Sequence, residues 1–206
     1  MRILGIDTSC DDTCVSLLEA KNFNFKILSN VVSSQVKLHA KYGGVYPSLA
    51  KREHQKNLPF VFEKALQLAL LAQGKLDLIG VTVGPGLEPC LWQGINFAKD
   101  LAKKLRKPLI SVNHIEAHIL ANFINGFTKS IKFPAICLVV SGGHTQLILM
   151  KDIGKYKIIG ETRDDAAGEC FDKVARILGL GYPGGPAIAK YAKKYTGSTG
   201  VNLPRP

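Results

Sequence analysis

Two histidines, His114 and His118, stand four residues apart in NHIEAH, residues 113–118. On an α-helix that spacing sets both imidazoles on one face, as two ligands of one transition metal require. Glu116 falls at i+2, turned by roughly 200° around a helix of about 3.6 residues per turn. It therefore faces away from the pair. A metallopeptidase helix carries its glutamate directly after the first histidine, so HIEAH is a two-ligand motif without a general base. A third ligand, most simply a carboxylate, must come from elsewhere. Two histidines that only cap or pack the start of a helix would show the same spacing.

Two turns offer different chemistry. DTSCDD, residues 7–12, joins two β-rich runs and carries three carboxylates (Asp7, Asp11, Asp12), small hydroxyls and free backbone amides. SGGHT, residues 141–145, carries two glycines that let backbone N–H groups approach an anion closely. Facing turns of this kind can grip a phosphate between two domains. Taken alone, S-G-G-H is equally a hairpin turn with no ligand. GPGL at 84–87 and YPGGP at 182–186 add further glycine punctuation.

Alternating strands and helices must position these groups. RILGID (2–7) and TCVSLL (13–18) read as strands, and KILSNVVSSQ continues in the same style. After the loop KYGGVYPS, a helix is expected from Leu49 to about Gln73, stopped by Gly74. LDLIGVTVG reads as a buried strand, and WQGINFAKDLAKKL as an amphipathic helix, apolar at Ile95, Ala98, Leu101, Ala102 and Leu105. PLISVN is a short strand, after which Asn113 can cap the histidine helix. From Pro134 a second unit begins: AICLVVSGGHTQLILM as a hairpin, YKIIGET as a strand, and GECFDKVARILGL as a helix ended by GLGYPGG. The order predicts an α/β protein of two units, 1–133 and 134–206, each opened by antiparallel hairpins.

The bounds agree. At 206 residues the chain buries a real core, and 46% hydrophobic with 21% charged residues is a globular composition. No apolar run reaches the roughly 18–20 residues of a membrane span, and MRILGIDTSC does not read as a secretory signal. Five scattered cysteines without metal spacing fit reduced thiols in a cytoplasmic protein. A net charge of +11 points to a polyanionic partner such as nucleic acid, or an anionic substrate.

Seven motifs then occur in one order: LGIDTSCDDT, YGGVYPSLAKREH, GPGLEPCLWQGINFAKDLA, NHIEAH, SGGHTQL, GECFDKVARILGLGYPGGP and LPRP. Together they resemble the bacterial tRNA adenosine threonylcarbamoyltransferases, the TsaD family once labelled glycoprotein endopeptidases. The resemblance implies an actin/sugar-kinase/Hsp70-like fold of two α/β lobes around a nucleotide cleft, here with the second lobe truncated. It implies transfer of a threonylcarbamoyl group from threonylcarbamoyl-adenylate to the exocyclic amine of the adenosine beside the anticodon, in tRNAs reading A-starting codons.

Position by position, His114 and His118 resemble the two histidine ligands of a single iron or zinc ion. Val139, Val140, Ser141, Gly142 and Gly143 resemble the loop holding the adenylate, with Asp172 and Gly185 its further contacts. Asp11 resembles an acidic position near the reacting group. The implied partners are tRNA, a smaller paralogous subunit forming a heterodimer, a small ATPase and the adenylate-forming enzyme. Relatives continue past LPRP with an aspartate as third metal ligand, so the chain alone is expected to be catalytically dead or nearly so, weakly metallated and prone to associate. Glu88-Pro89-Cys90 departs from the family's GPGLxGxL and is expected to alter that loop. Alternatives are a metallopeptidase, disfavoured by Glu116; a sugar kinase, for which no catalytic base is located; and a non-catalytic scaffold paralogue, which lacks the two-histidine motif.

Overall fold

Leu4 and Ile6 alternate with less buried neighbours along Arg2–Asp7 (β1), the period of a strand in the middle of a sheet. In the computed structural model, which describes residues 1–22, 24–70, 75–124 and 131–195, β1 occupies that place. It pairs antiparallel with Asp12–Lys21 (β2) and parallel with Leu78–Gly84 (β4). Asn24–Ser34 (β3) extends one edge and Leu109–Asn113 (β5) the other, giving the order β3-β2-β1-β4-β5. Between β3 and β4 run the short helix Val36–His39 (α1), a 3-10 turn, and the long helix Pro47–Leu68 (α2).

Helix α2 buries Ala50, His54, Leu58, Val61, Phe62, Ala65 and Leu66, a stripe of helical period. That stripe packs on β2 and β3, while Glu88–Leu105 (α3) packs on β4 and on α2. One apolar cluster, centred on Leu4, Leu17, Leu76 and Ile79, fills the space between them.

The second unit repeats the opening. Ala135–Val140 (β6), Thr145–Asp152 (β7) and Lys155–Glu161 (β8) form an antiparallel meander, as β1, β2 and β3 do. Helices Ala167–Ile177 (α5) and Gly184–Ala192 (α6) follow and pack on each other. The histidine helix, His114–Ala121 (α4), leaves the first sheet but buries Ile115 and Ile119 against Ile148 and Met150 of the second. It is the element shared by the two sheets. On β6, Ile136, Leu138 and Val140 are each more than half exposed.

Several boundaries differ from the sequence reading. Helix α2 starts at Pro47 and ends at Leu68, while Gly74 lies outside the described residues. Proline suits the first turn of a helix, where an N–H has no partner anyway. The same physics fits Glu88-Pro89-Cys90, which form the first turn of α3. Helix α6 was not expected after so many glycines. It forms because Asp172 Oδ1 accepts the Gly184 N–H at 2.6 Å and the helix packs on α5. The LPRP motif lies outside the described residues. Among the described residues no helix is long and apolar enough to cross a membrane.

Candidate functional site: a cleft between the two sheets

The end of β1 delivers Asp7, Thr8 and Ser9, and α3 locks them in place. Thr8 Oγ1 donates to the Cys90 carbonyl at 2.9 Å and accepts the Gly94 N–H at 3.1 Å. The Ser9 carbonyl accepts the Leu87 N–H at 2.7 Å. A Cβ at Gly86 would lie 2.5 Å from the Ser9 oxygen, so only glycine permits this approach.

A buried histidine network holds the next two residues. His54 is fully buried; its Nε2–H donates to the Cys10 carbonyl at 2.9 Å, and its Nδ1 accepts the Thr13 hydroxyl at 2.8 Å. His39, equally buried, accepts the Tyr46 N–H at Nδ1 and donates from Nε2 to Gln35, whose N–H in turn binds the Asp11 carbonyl at 3.0 Å. Burial pushes the pKa of His54 down, outweighing the hydrogen bond to the Cys10 carbonyl.

Asn113 caps α4, its Oδ1 accepting the N–H groups of Ile115 at 2.9 Å and Glu116 at 3.0 Å. The cap anchors the helix on β5 and brings the two imidazoles into contact, Nε2 to Nε2 at 3.2 Å. His114 Nδ1 faces Asp7 Oδ2 at 2.9 Å. Burial works to raise the Asp7 pKa, but hydrogen bonds from His114, Thr82 and Ser9 outweigh it and hold the carboxyl well below the usual carboxylate range. His118 is pushed down by burial and by its proximity to His114. Glu116 sits away from the pair, beside Tyr156, whose hydroxyl burial and then the Glu116 charge push up.

The pair suits a metal as far as it goes. Nitrogens 3.2 Å apart are close to the separation of roughly 3.4 Å that two nitrogens about 2.1 Å from one tetrahedral metal span. A carboxylate on the far ring nitrogen is the usual outer partner of a ligating histidine. Among the described residues, however, no group of three His, Cys, Asp or Glu side chains could hold an ion.

A cavity of ≈ 890 Å³ separates the two sheets. From the first unit it is lined by Ser9, Asp11, Gly86 and His114, and from the second by Ser141–His144, Gly168, Asp172 and Gly185. Of the residues singled out in the sequence, Asp11, Val140, Ser141, Gly142, Gly143, Asp172, Gly185 and His114 share this space. Val139 does not: strand alternation turns it towards α4, into the cluster with Ile115 and Ile119. His118 lines the neighbouring apolar cavity of ≈ 510 Å³ instead.

The glycine turn is built against a helix start. The Gly168 N–H donates to the Ser141 carbonyl at 3.1 Å, and a Cβ at Gly168 would lie 2.5 Å from that oxygen. The first turn of α5 thus abuts the turn, its Ala167 N–H taken up by the Thr145 hydroxyl at 2.8 Å and its Gly168 N–H by the Ser141 carbonyl. At Gly142 and Gly143, by contrast, the space a Cβ would fill is open.

Sequence reading did not single out His144, Tyr182 or Thr82. His144 and Tyr182 line the cleft, and the only signal for them was their place inside SGGHT and YPGGP. Burial, then the charges of Asp11 and Asp172, pushes the Tyr182 hydroxyl up to about 12. Cys10 meets solvent at one edge, yet burial and the Asp11 charge push its thiol up to about 12, so it is no thiolate nucleophile. Across the cleft, Arg176 donates to the Gly43 carbonyl at 3.0 Å, linking α5 to the loop before α2.

Known proteins bear on this geometry. The family described as TsaD: tRNA N6-adenosine threonylcarbamoyltransferase matches residues 26–206. A tRNA N6-adenosine threonylcarbamoyltransferase of Thermosipho africanus is 53% identical over 206 residues, covering 100% of this chain and 60% of the relative. Another, of Dictyoglomus turgidum, is 58% identical over 193 residues, covering 94% of this chain and 56% of the relative. The chain therefore spans somewhat more than half the length of these relatives. Among solved structures, YeaZ from Pseudomonas aeruginosa superposes with a TM-score of 0.51 at 16% identity, covering 78% of this chain and 66% of that one. That likeness concerns the fold alone, which is of the two-lobed actin/sugar-kinase/Hsp70-like type.

Proposed function

The chain belongs to the TsaD family of tRNA N6-adenosine threonylcarbamoyltransferases, and from that membership we propose that it carries the donor-binding half of this transfer. The group transferred is threonylcarbamoyl, the donor threonylcarbamoyl-adenylate, and the acceptor the exocyclic amine of the adenosine beside the anticodon. The observation that carries the proposal is the single cleft in which the glycine turn, Asp11, Asp172, Gly185 and His114 converge.

A mixed anhydride is already activated, so no covalent nucleophile is needed. The amine forms a C–N bond to the carbamoyl carbon, the C–O bond to phosphate breaks, and AMP leaves with the electron pair. The amides of Gly142 and Gly143 face the charge growing on the oxygens. The Asp11 carboxylate accepts the proton the amine sheds. Asp172 and Gly185 hold the adenosine end, and the two walls keep water out.

His114 and His118 would hold the one iron or zinc ion, which would supply Lewis acidity and a template at the phosphate end. With two imidazoles and no third ligand among the described residues, the chain alone is proposed to bind that ion weakly and to transfer slowly. The partners proposed are tRNA, a smaller paralogous subunit, a small ATPase and the adenylate-forming enzyme, all in the cytoplasm.

The test is transfer of labelled threonylcarbamoyl from purified donor to tRNA, with the reconstituted partners. Wild type should label the tRNA, while Asp11→Ala and Gly143→Val should lose at least tenfold. Equal labelling by all three would remove this cleft from the reaction.

A further inference from the structure

Asp7 sits at the C-terminal end of β1, opposite Cys14 of β2, and the transfer proposed above gives it no step. Both its oxygens are nevertheless committed. Oδ1 accepts the Ser9 N–H at 2.8 Å and the Ser9 hydroxyl at 2.7 Å. Oδ2 accepts the Thr82 hydroxyl at 2.6 Å and faces His114 Nδ1 at 2.9 Å.

We propose that Asp7 is a positioning residue that fixes His114 as its Nδ1–H tautomer, aiming a bare Nε2 at the space shared with His118. The inference rests on the metal-holding role proposed above for the two histidines. Its logic is a count of protons. The Ser9 hydroxyl hydrogen is spent on Asp7 Oδ1, so towards His114 Nδ1, 3.2 Å away, that hydroxyl can only accept. The Thr82 hydroxyl hydrogen is likewise spent on Oδ2. His114 Nδ1 therefore meets acceptors only, a carboxylate and a hydroxyl oxygen, and must carry the hydrogen. In a neutral ring the other nitrogen is then bare, and it is the one 3.2 Å from His118 Nε2.

A carboxylate does this better than an amide, which could turn its NH₂ towards Nδ1 and favour the opposite tautomer. Thr82 and Ser9 keep the carboxylate from rotating, and Thr8 ties that stretch to α3. The ligand nitrogen is thus prepared by the sheet rather than by the helix that bears it.

Two measurements test this. Long-range ¹H–¹⁵N spectra of the metal-free chain report the His114 tautomer directly, and Co²⁺ titration followed by its visible absorption reports the site. Wild type should show Nδ1–H at His114. Asp7→Asn should shift the ring towards Nε2–H and weaken Co²⁺ binding by about tenfold to a hundredfold, the usual cost of losing such an outer partner. Asp7→Glu, which keeps the carboxylate, should restore most of both, while His118→Asn should abolish Co²⁺ binding without changing the His114 tautomer. An Nε2–H ring in wild type would overturn the proposal even if every variant at Asp7 failed to fold. So would an Asp7→Asn protein with unchanged tautomer and Co²⁺ affinity within twofold. Wild type with the Nδ1–H ring and no Co²⁺ binding would instead sink the metal-holding role and leave the tautomer assignment standing.

Discussion

Two glycines of the cleft have opposite reasons for being glycine. At Gly168 a side chain would collide with the Ser141 carbonyl, at 2.5 Å, where helix start and turn abut. Gly168→Ala should lower stability by ~1–3 kcal/mol, as overpacking does, measured by urea unfolding. At Gly143 the space is open, so Gly143→Ala should change stability by less than about 0.5 kcal/mol. Its methyl projects into the cleft instead, and donor affinity should fall severalfold by calorimetry. Equal stability losses at the two positions would contradict this division.

Helix α4 is only eight residues long, too short to persist without its cap and its apolar contacts. Asn113→Ala removes the acceptor of two N–H groups and should cost about 1 kcal/mol in a denaturant midpoint. Because the cap orients both imidazoles, Co²⁺ affinity should fall with it; unchanged affinity would separate cap from site. This helix shows what was legible in the sequence and what was not. The i, i+4 pair, the Asn113 cap and the averted Glu116 follow from local spacing, and the structure has all three. Local patterns also gave the strands and the hairpin repeat, since alternation is a property of neighbouring residues. The link from Asp7 to His114 spans 107 positions and depends on the parallel pairing of β1, β4 and β5, which no local pattern reports. Helix α6 was missed because a glycine-rich start argues against a helix, and the Asp172 contact that offsets it lies twelve residues away. Val139 was grouped with Val140 as one loop, although successive strand residues face opposite sides.

Charge and protonation act on the whole molecule. Buried His54 stays neutral in the fold, while in the unfolded chain it takes a proton near pH 6.5. The stability this group contributes is therefore complete above about pH 6.5 and is lost as the pH falls below it, towards the depressed folded value. His118 adds in the same direction, and Asp7 extends the loss below about pH 3.9. Urea midpoints should fall between pH 7.5 and 5, and His54→Gln, which keeps a donor and an acceptor, should flatten that slope. For the tRNA partner proposed above, a net charge of +11 predicts an affinity that falls linearly with salt on logarithmic axes, checked by filter binding from 50 to 300 mM, roughly spanning the physiological range. The interlocking of Thr8 and Ser9 with α3 has a consequence in time as well as in space. Those residues end the central strand, so their surroundings open only when the whole first sheet does, whereas α4 is short and can fray alone. Amide deuterium uptake should accordingly be slowest at Leu87 and Gly94 and far faster along His118–Ala121. The wall built on Ser9 is thus held as long as the protein stays folded, while the last turn of α4, carrying His118, can open on its own.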